Sequence, residues 1–218
     1  MEKKATNKEK FKQLWLSPLL LHARTTQKIV YIAVVATLLI VTNIYSIPIS
    51  HSAQISLTTA VSLIAGIILG PAFGFVASFL GDAVAYLVNP PPFPYMFWIG
   101  LASATMSLIS GLIMNGFKTK TTFGLMLKLV CICLVSLVVS SIGINTTGLY
   151  LYQYYAGFWK GPIEYFTQNY GGQATFLAYL LYRMIIELQL VYNVINYIVF
   201  ITVVPLLNSI KALKINIS

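Results

Sequence analysis

Residues 69–111 read LGPAFGFVASFLGDAVAYLVNPPPFPYMFWIGLASATMSLISG, and this stretch decides the fold. An apolar run stops at Gly70-Pro71, a second run carries the carboxylate of Asp82, a tip with four prolines follows, and a third run is dense in small residues. An acid inside a hydrophobic segment is costly, so Asp82 requires a partner or a water-filled cavity. The pattern predicts membrane-crossing helices around a polar interior.

Working outward, 58% of the 218 residues are hydrophobic and only 9% are charged, against about a quarter charged in an ordinary soluble domain. Apolar stretches of roughly 20 residues, the length that crosses a bilayer core of about 30 Å, recur along nearly the whole chain. The expected fold is all-α: a polytopic membrane protein of six transmembrane helices with a short N-terminal interfacial helix. Residues 1–27 form the N-terminus with that helix, 28–210 the six-helix domain and 211–218 a tail.

A net charge of +9 would suggest nucleic acid in a soluble protein, but placement decides otherwise. Lys3, Lys4, Lys8, Lys10, Lys12, Arg24 and Lys28 precede or open the first span; Lys118, Lys120 and Lys128 surround one later loop; Lys211 and Lys214 end the chain. With six spans, these 12 of the 14 basic residues share one side. The positive-inside rule then puts both termini in the cytoplasm. Only Lys160 is left for the outer loops, and Arg183 falls inside a span. The first ten residues are polar and no cleavable signal is expected, so the first span serves as the insertion signal.

The spacing predicts spans over about 28–45, 55–69, 72–88, 95–114, 123–150 and 174–207. Ser17-Pro18 reads as N-cap and first residue of the interfacial helix. Gly70-Pro71 permits only a tight turn, and the proline tip is a stiff outer cap. Gly100, Ala102, Ser103, Ala104, Ser107, Ser110 and Gly111 let the fourth span approach its neighbours closely. Cys131 and Cys133 point to opposite sides of one helix and read as small apolar residues. The segment 150–173 holds six tyrosines, a tryptophan and two phenylalanines and reads as a lid, since loops of such length are usually functional.

The last span carries Tyr182, Arg183, Glu187, Gln189, Asn193, Asn196 and Tyr197. On one continuous helix Tyr182, Gln189, Asn193 and Asn196 share a sector, with Arg183 and Glu187 beside it as an i,i+4 ion pair. Interhelical hydrogen bonding and the wall of a solute cavity both account for such a stripe. Asp82 reads as a brace paired with Arg183 or a backbone donor; a proton relay would need further acids or histidines. Asn145-Thr146-Thr147 supplies polar groups near the outer mouth. His22 and His51 lack partners at metal spacing, no nucleophile–base set or phosphate-binding loop is present, and neither an enzyme activity nor a cofactor is expected. Aromatics and amides crowd the outer side and describe a lidded pocket for a solute with apolar faces and amide-like edges. The candidate substrate-binding residues are Gln54, Asn89, Tyr95, Trp98, Asn145, Tyr150, Trp159, Arg183 and Asn193. On the first span, Ala33, Ala36 and Thr37 form a small-residue strip suited to a partner helix.

With these residues in place, the chain resembles the substrate-binding S components of energy-coupling factor (ECF) vitamin transporters. The resemblance covers nearly the whole length and rests on LGPAFGFVASFLGD, the proline-containing loop and small-residue span after it, Asn145-Thr146 before an aromatic segment, and Arg183 opening a polar last helix. It implies a subunit of the bacterial plasma membrane that captures a vitamin outside and delivers it inward, with ATP hydrolysed by two ATPase subunits joined through a transmembrane coupling subunit. S components present an Ala-xxx-Ala strip to that coupling subunit, and the matching positions here are Ala33 and Thr37. The long aromatic segment and the scarcity of charge favour cobalamin; folate is the alternative, its glutamate tail meeting Arg183 or Lys160, with riboflavin and pantothenate as smaller options. A secondary transporter driven by protons through Asp82 and a ligand-free structural membrane protein are the competing functions.

Overall fold

The computed structural model describes residues 7–48, 54–90, 94–117, 119, 121–156, 168 and 175–209. Helices α1 (Asn7–Trp15), α2 (Pro18–His22) and α3 (Thr25–Ile44) lead to a two-residue ribbon in which β1 (Ile47–Pro48) pairs antiparallel with β2 (Gln54–Ile55). Then come α4 (Thr58–Val88), α5 (Phe97–Gly116) and α6 (Thr122–Ser136), which continues through a π-helical segment (Leu137–Thr146) into α7 (Thr147–Ala156). Last are α8 (Phe176–Leu181), a second π-helical segment (Tyr182–Ile186) and α9 (Gln189–Ser209). Among the described residues five helices are long and apolar enough to cross a membrane. The chain is an all-α polytopic membrane protein.

One of the five is folded back on itself. Gly70 adopts φ 82° and ψ 169° inside α4, a conformation open to glycine and strained for any other residue. Pro71 then opens the second arm, where a missing N–H costs nothing. A Cβ on Gly74 would stand 2.9 Å from the Gly66 Cα, whereas eight residues along a straight helix separate such atoms by about 12 Å. The expected tight turn at Gly70-Pro71 is therefore present, with arms 58–69 and 71–88 crossing at two glycines. The first arm is only about 18 Å long.

The small-residue span closes on this crossing. A Cβ on Gly111 would meet the Pro71 nitrogen at 2.6 Å and the Gly66 carbonyl oxygen at 2.7 Å, and one on Gly66 would collide with the Ser107 carbonyl. Ser107 and Ser110 donate their hydroxyls to the Ser62 and Leu63 carbonyls at 2.6 and 2.7 Å. Backbones this close gain dispersion and hydrogen bonds, which drive helix association where lipid replaces water.

The N-terminal helices sit on the same turn. Ser17 caps α2 as expected, accepting the Leu20 N–H at 3.2 Å, and its hydroxyl donates to the Ile68 carbonyl at 2.6 Å. The Asn115 amide donates to the Leu14 and Leu16 carbonyls at 3.0 and 3.3 Å. The expected single interfacial helix is thus two helices broken before Pro18, because the main-chain groups around Leu16 and Ser17 face Gly70. At the other end of the molecule, here called the aromatic end, lie the ribbon, the end of α4, residues 94–96, α7 and α8.

Three further expectations are revised. Lys128 does not lie around the loop but is buried on α6. The last span is not one continuous helix: after the π segment the chain breaks at Glu187, and Leu188 has φ +56°. Among the described residues the partner of Asp82 is neither Arg183 nor a backbone donor: its Oδ2 accepts the Tyr95 hydroxyl at 3.2 Å. Cys131 and Cys133 are free thiols, one exposed and one buried, as opposite faces require.

Candidate functional site

Two π-helical segments meet at the aromatic end, and such segments, rare elsewhere, mark functional sites. The first is propped by hydroxyls that reach five residues back: Thr146 Oγ1 donates to the Ser141 carbonyl at 2.8 Å and Thr147 Oγ1 to the Ile142 carbonyl at 3.2 Å. The widened turn carries Asn145 and Thr146. The second follows the Thr175 cap, whose hydroxyl accepts the Ala178 N–H at 3.3 Å, and it carries Arg183. The contact between them is direct, Arg183 Nη1 donating to Thr146 Oγ1 at 3.2 Å.

Aromatic rings form the surroundings. Trp98 lies 5.4 Å from Tyr152 between ring centroids, and Tyr150 lies 5.4 Å from Phe176 and 5.6 Å from Tyr179. Gly148 lets the indole lie on the α7 backbone, since a Cβ there would stand 2.6 Å from Trp98 Cγ. Met96 and Leu149 are buried with Tyr179, and Trp98, Tyr150 and Tyr152 pack against this cluster.

Around the rings lie polar atoms that burial leaves without hydrogen-bond partners: Trp98 Nε1, Asn145 Oδ1, both amide atoms of Gln153, Tyr179 Oη and Arg183 Nε. The Gln153 amide and the Tyr179 hydroxyl are neighbours without meeting hydrogen-bond geometry. Arg183, 2% exposed, and Glu187, 7% exposed, add charge beside Tyr179. An unsatisfied buried polar group costs about 1–3 kcal/mol, so native proteins hold such groups in clusters only for a reason. Donors (indole, guanidinium, hydroxyl, amide) and acceptors (Asn145 and Gln153 carbonyls) together suit a heteroaromatic solute with imide-like edges.

Of the sequence-derived candidates, the structure brings together Trp98, Asn145, Tyr150 and Arg183. Asn193 is buried just past the break and accepts the Gln189 amide at 3.4 Å. Tyr182 and Arg183 no longer share one helix with Gln189, Asn193 and Asn196, so the single stripe divides. Asn196 turns to structure, accepting the Ala60 N–H at 3.1 Å and donating to the Ser56 carbonyl at 2.9 Å. Asn89 is exposed at the end of α4, and Tyr95 is committed to Asp82. Gln54 belongs to β2, its side chain outside the described ones; Trp159, Lys160, His51 and most of the lid segment also lie outside the described residues.

Sequence reasoning passed over Gln153 and Tyr179. Gln153 is seven residues after Thr146, hence on the same helical face, and Tyr179 is one turn before Arg183. On α3, Ala33 and Thr37 are exposed and joined by the Thr37 hydroxyl donating to the Ala33 carbonyl at 2.9 Å. Ala36 separates from them: it is half-buried and its carbonyl oxygen faces Gly81.

No curated protein matches the chain. The family model described as "ECF-type riboflavin transporter, S component" matches residues 23–160, from just before α3 through α7, and so takes in Trp98, Asn145, Thr146 and Gln153 but not Arg183. That is more than half of the chain. The chain belongs to the family of ECF-type riboflavin transporter S components, membrane-embedded subunits that bind the substrate of an ECF transporter.

Proposed function

We propose that this S component captures a flat heteroaromatic vitamin at the aromatic end and, in complex with a coupling subunit and two ATPase subunits, delivers it inward. The observation that carries this reading is the group of buried, unpartnered polar atoms of Trp98, Asn145, Gln153, Tyr179 and Arg183 around an aromatic floor. Riboflavin is the first candidate: its ring system offers two apolar faces for Trp98 and Tyr150 and an imide edge for amide and guanidinium groups. The family's description supports it.

Folate is the second reading, favoured by one observation. Arg183 is a buried cation able to meet a carboxylate in bidentate fashion. Cobalamin, suggested by the aromatic segment 150–173, is tested alongside. Both termini face the cytoplasm in this reading, supported by the concentration of basic residues at the α1–α2 end. Ala33 and Thr37, on an α3 face that also exposes Ile29, Val30 and Val34, contact the coupling subunit.

The test is titration of the purified chain with riboflavin, folate and cobalamin, followed by tryptophan fluorescence. Quenching by riboflavin at the lowest concentration supports the first reading, and tighter binding of folate that is lost in Arg183→Gln supports the second. Binding of none of the three by folded protein overturns the vitamin-capture reading.

A further inference from the structure

A second group of unpartnered buried atoms lies at the opposite end of the molecule. Helix α6 is capped by Thr121, whose hydroxyl accepts the Gly124 N–H at 3.1 Å. Thr119 lies against the helix there, because a Cβ on Gly124 would stand 3.1 Å from both its Cβ and its Cγ2. One turn on, on the same face, comes Lys128, only 6% exposed. Its Nζ is buried without a hydrogen-bond partner, and so is Thr119 Oγ1. Side chains on a helix lean back over the preceding turn, which carries the Lys128 amine towards Gly124 and Thr119.

An ammonium group in a membrane helix needs a counter-charge. Three acids lie among the described residues. Asp82 and Glu187 are at the aromatic end, and Glu9 on α1 has an interaction of its own. Beside the Lys128 face, Phe123 and Leu127 share an adjoining strip of α6 and are 79% and 61% exposed; Phe117, before the loop, is 65% exposed. A buried cation and a hydroxyl donor bordered by exposed apolar side chains at a helix end match a phosphate carried on acyl chains.

We infer that Lys128 and Thr119 form a binding site for the phosphate of an anionic phospholipid, with Phe123 and Leu127 against its acyl chains. The Lys128 ammonium pairs with a phosphate oxygen and the Thr119 hydroxyl donates to a second. This inference does not depend on which vitamin is bound.

The test is native mass spectrometry of the full chain released from detergent after equilibration with equal amounts of phosphatidylglycerol and phosphatidylcholine. The expected result is one retained phosphatidylglycerol, a preference reduced about fivefold by Lys128→Met and kept by Lys128→Arg. Thr119→Val lowers it less, and provides the reading if Lys128→Met fails to fold. Equal retention of the two lipids, or an unchanged preference in a folded Lys128→Met or Thr119→Val protein, overturns the inference. Displacement of phosphatidylglycerol by an equal concentration of inorganic phosphate overturns the lipid assignment in favour of a soluble anion. Protection of the Lys128 amine from acylation by the coupling subunit, and not by phosphatidylglycerol, overturns it in favour of a protein counter-charge.

Discussion

Arg183 donates to Thr146 across 3.2 Å, and Thr146 in turn donates to the carbonyl of Ser141. The guanidinium is thereby anchored on one nitrogen while its Nε remains without a protein partner. A hydroxyl has one hydrogen to give, so Thr146 acts towards Arg183 as an acceptor only. That holds one nitrogen of the guanidinium in place and leaves Nε available to a ligand.

The first prediction concerns this anchor. Arg183→Lys keeps charge but loses the planar fork, and the loss of a charged hydrogen bond of about 1.5–3 kcal/mol weakens vitamin binding roughly tenfold or more. Thr146→Val leaves the charge and removes its support, giving a smaller loss. Fluorescence titration of both variants checks the order, and equal affinity in wild type and Arg183→Lys would remove Arg183 from the site.

Glycines at the arm crossing set stability. Gly111→Ala places a methyl group 2.6 Å from the Pro71 nitrogen and is expected to destabilise by about 1–3 kcal/mol, as overpacking does. Gly116→Ala is the control on the same helix, since the nearest side-chain atom is 3.8 Å away. Thermal unfolding in detergent compares the two, and an equal effect would mean that the crossing is looser than described.

The Asp82–Tyr95 bond ties the second arm to the segment entering α5. If Asp82 braces, Tyr95→Phe and Asp82→Asn lower stability non-additively, with a coupling of about 0.5–3 kcal/mol in a double-mutant cycle. ATP-dependent uptake by reconstituted Asp82→Asn complex stays within about twofold of wild type, because among the described residues no cluster of acids and histidines surrounds it. Proton-driven uptake that vanishes in Asp82→Asn would restore the secondary-transporter reading.

Thr37→Leu adds bulk to the exposed face of α3 without touching the aromatic end. Co-purification with the coupling subunit is expected to fall while vitamin affinity holds. Ala36→Leu behaves differently, because its backbone packs beside Gly81 on α4, so that variant loses stability first. An unchanged yield of complex with Thr37→Leu would move the docking face elsewhere.

Much of this architecture was legible in residue order because its determinants are local. Gly70-Pro71 specifies a turn, Ser17-Pro18 a cap, and the small residues of α5 a close contact, each through backbone constraints that neighbours in sequence impose. The site was less legible. Arg183 and Thr146 stand out as polar residues in apolar surroundings, but their pairing depends on two π-helical segments that shift every later residue away from 100° spacing. For the same reason a wheel drawn through Tyr182 and Asn193 as one helix misplaces one against the other: the break at Leu188, an ordinary apolar residue with positive φ, carries no sequence signal of its own. Charge alone places Lys128 near a loop, while its burial depends on which helices cover it.

The crossing of Gly66 and Gly74 has a consequence for biogenesis. A first arm of about 18 Å is short for independent entry into a bilayer, and the Gly70 conformation exists only when both arms are folded together. The two arms should therefore leave the translocation channel as one preformed hairpin. Helix α5, made next, then closes its own small residues on a hairpin that already exists.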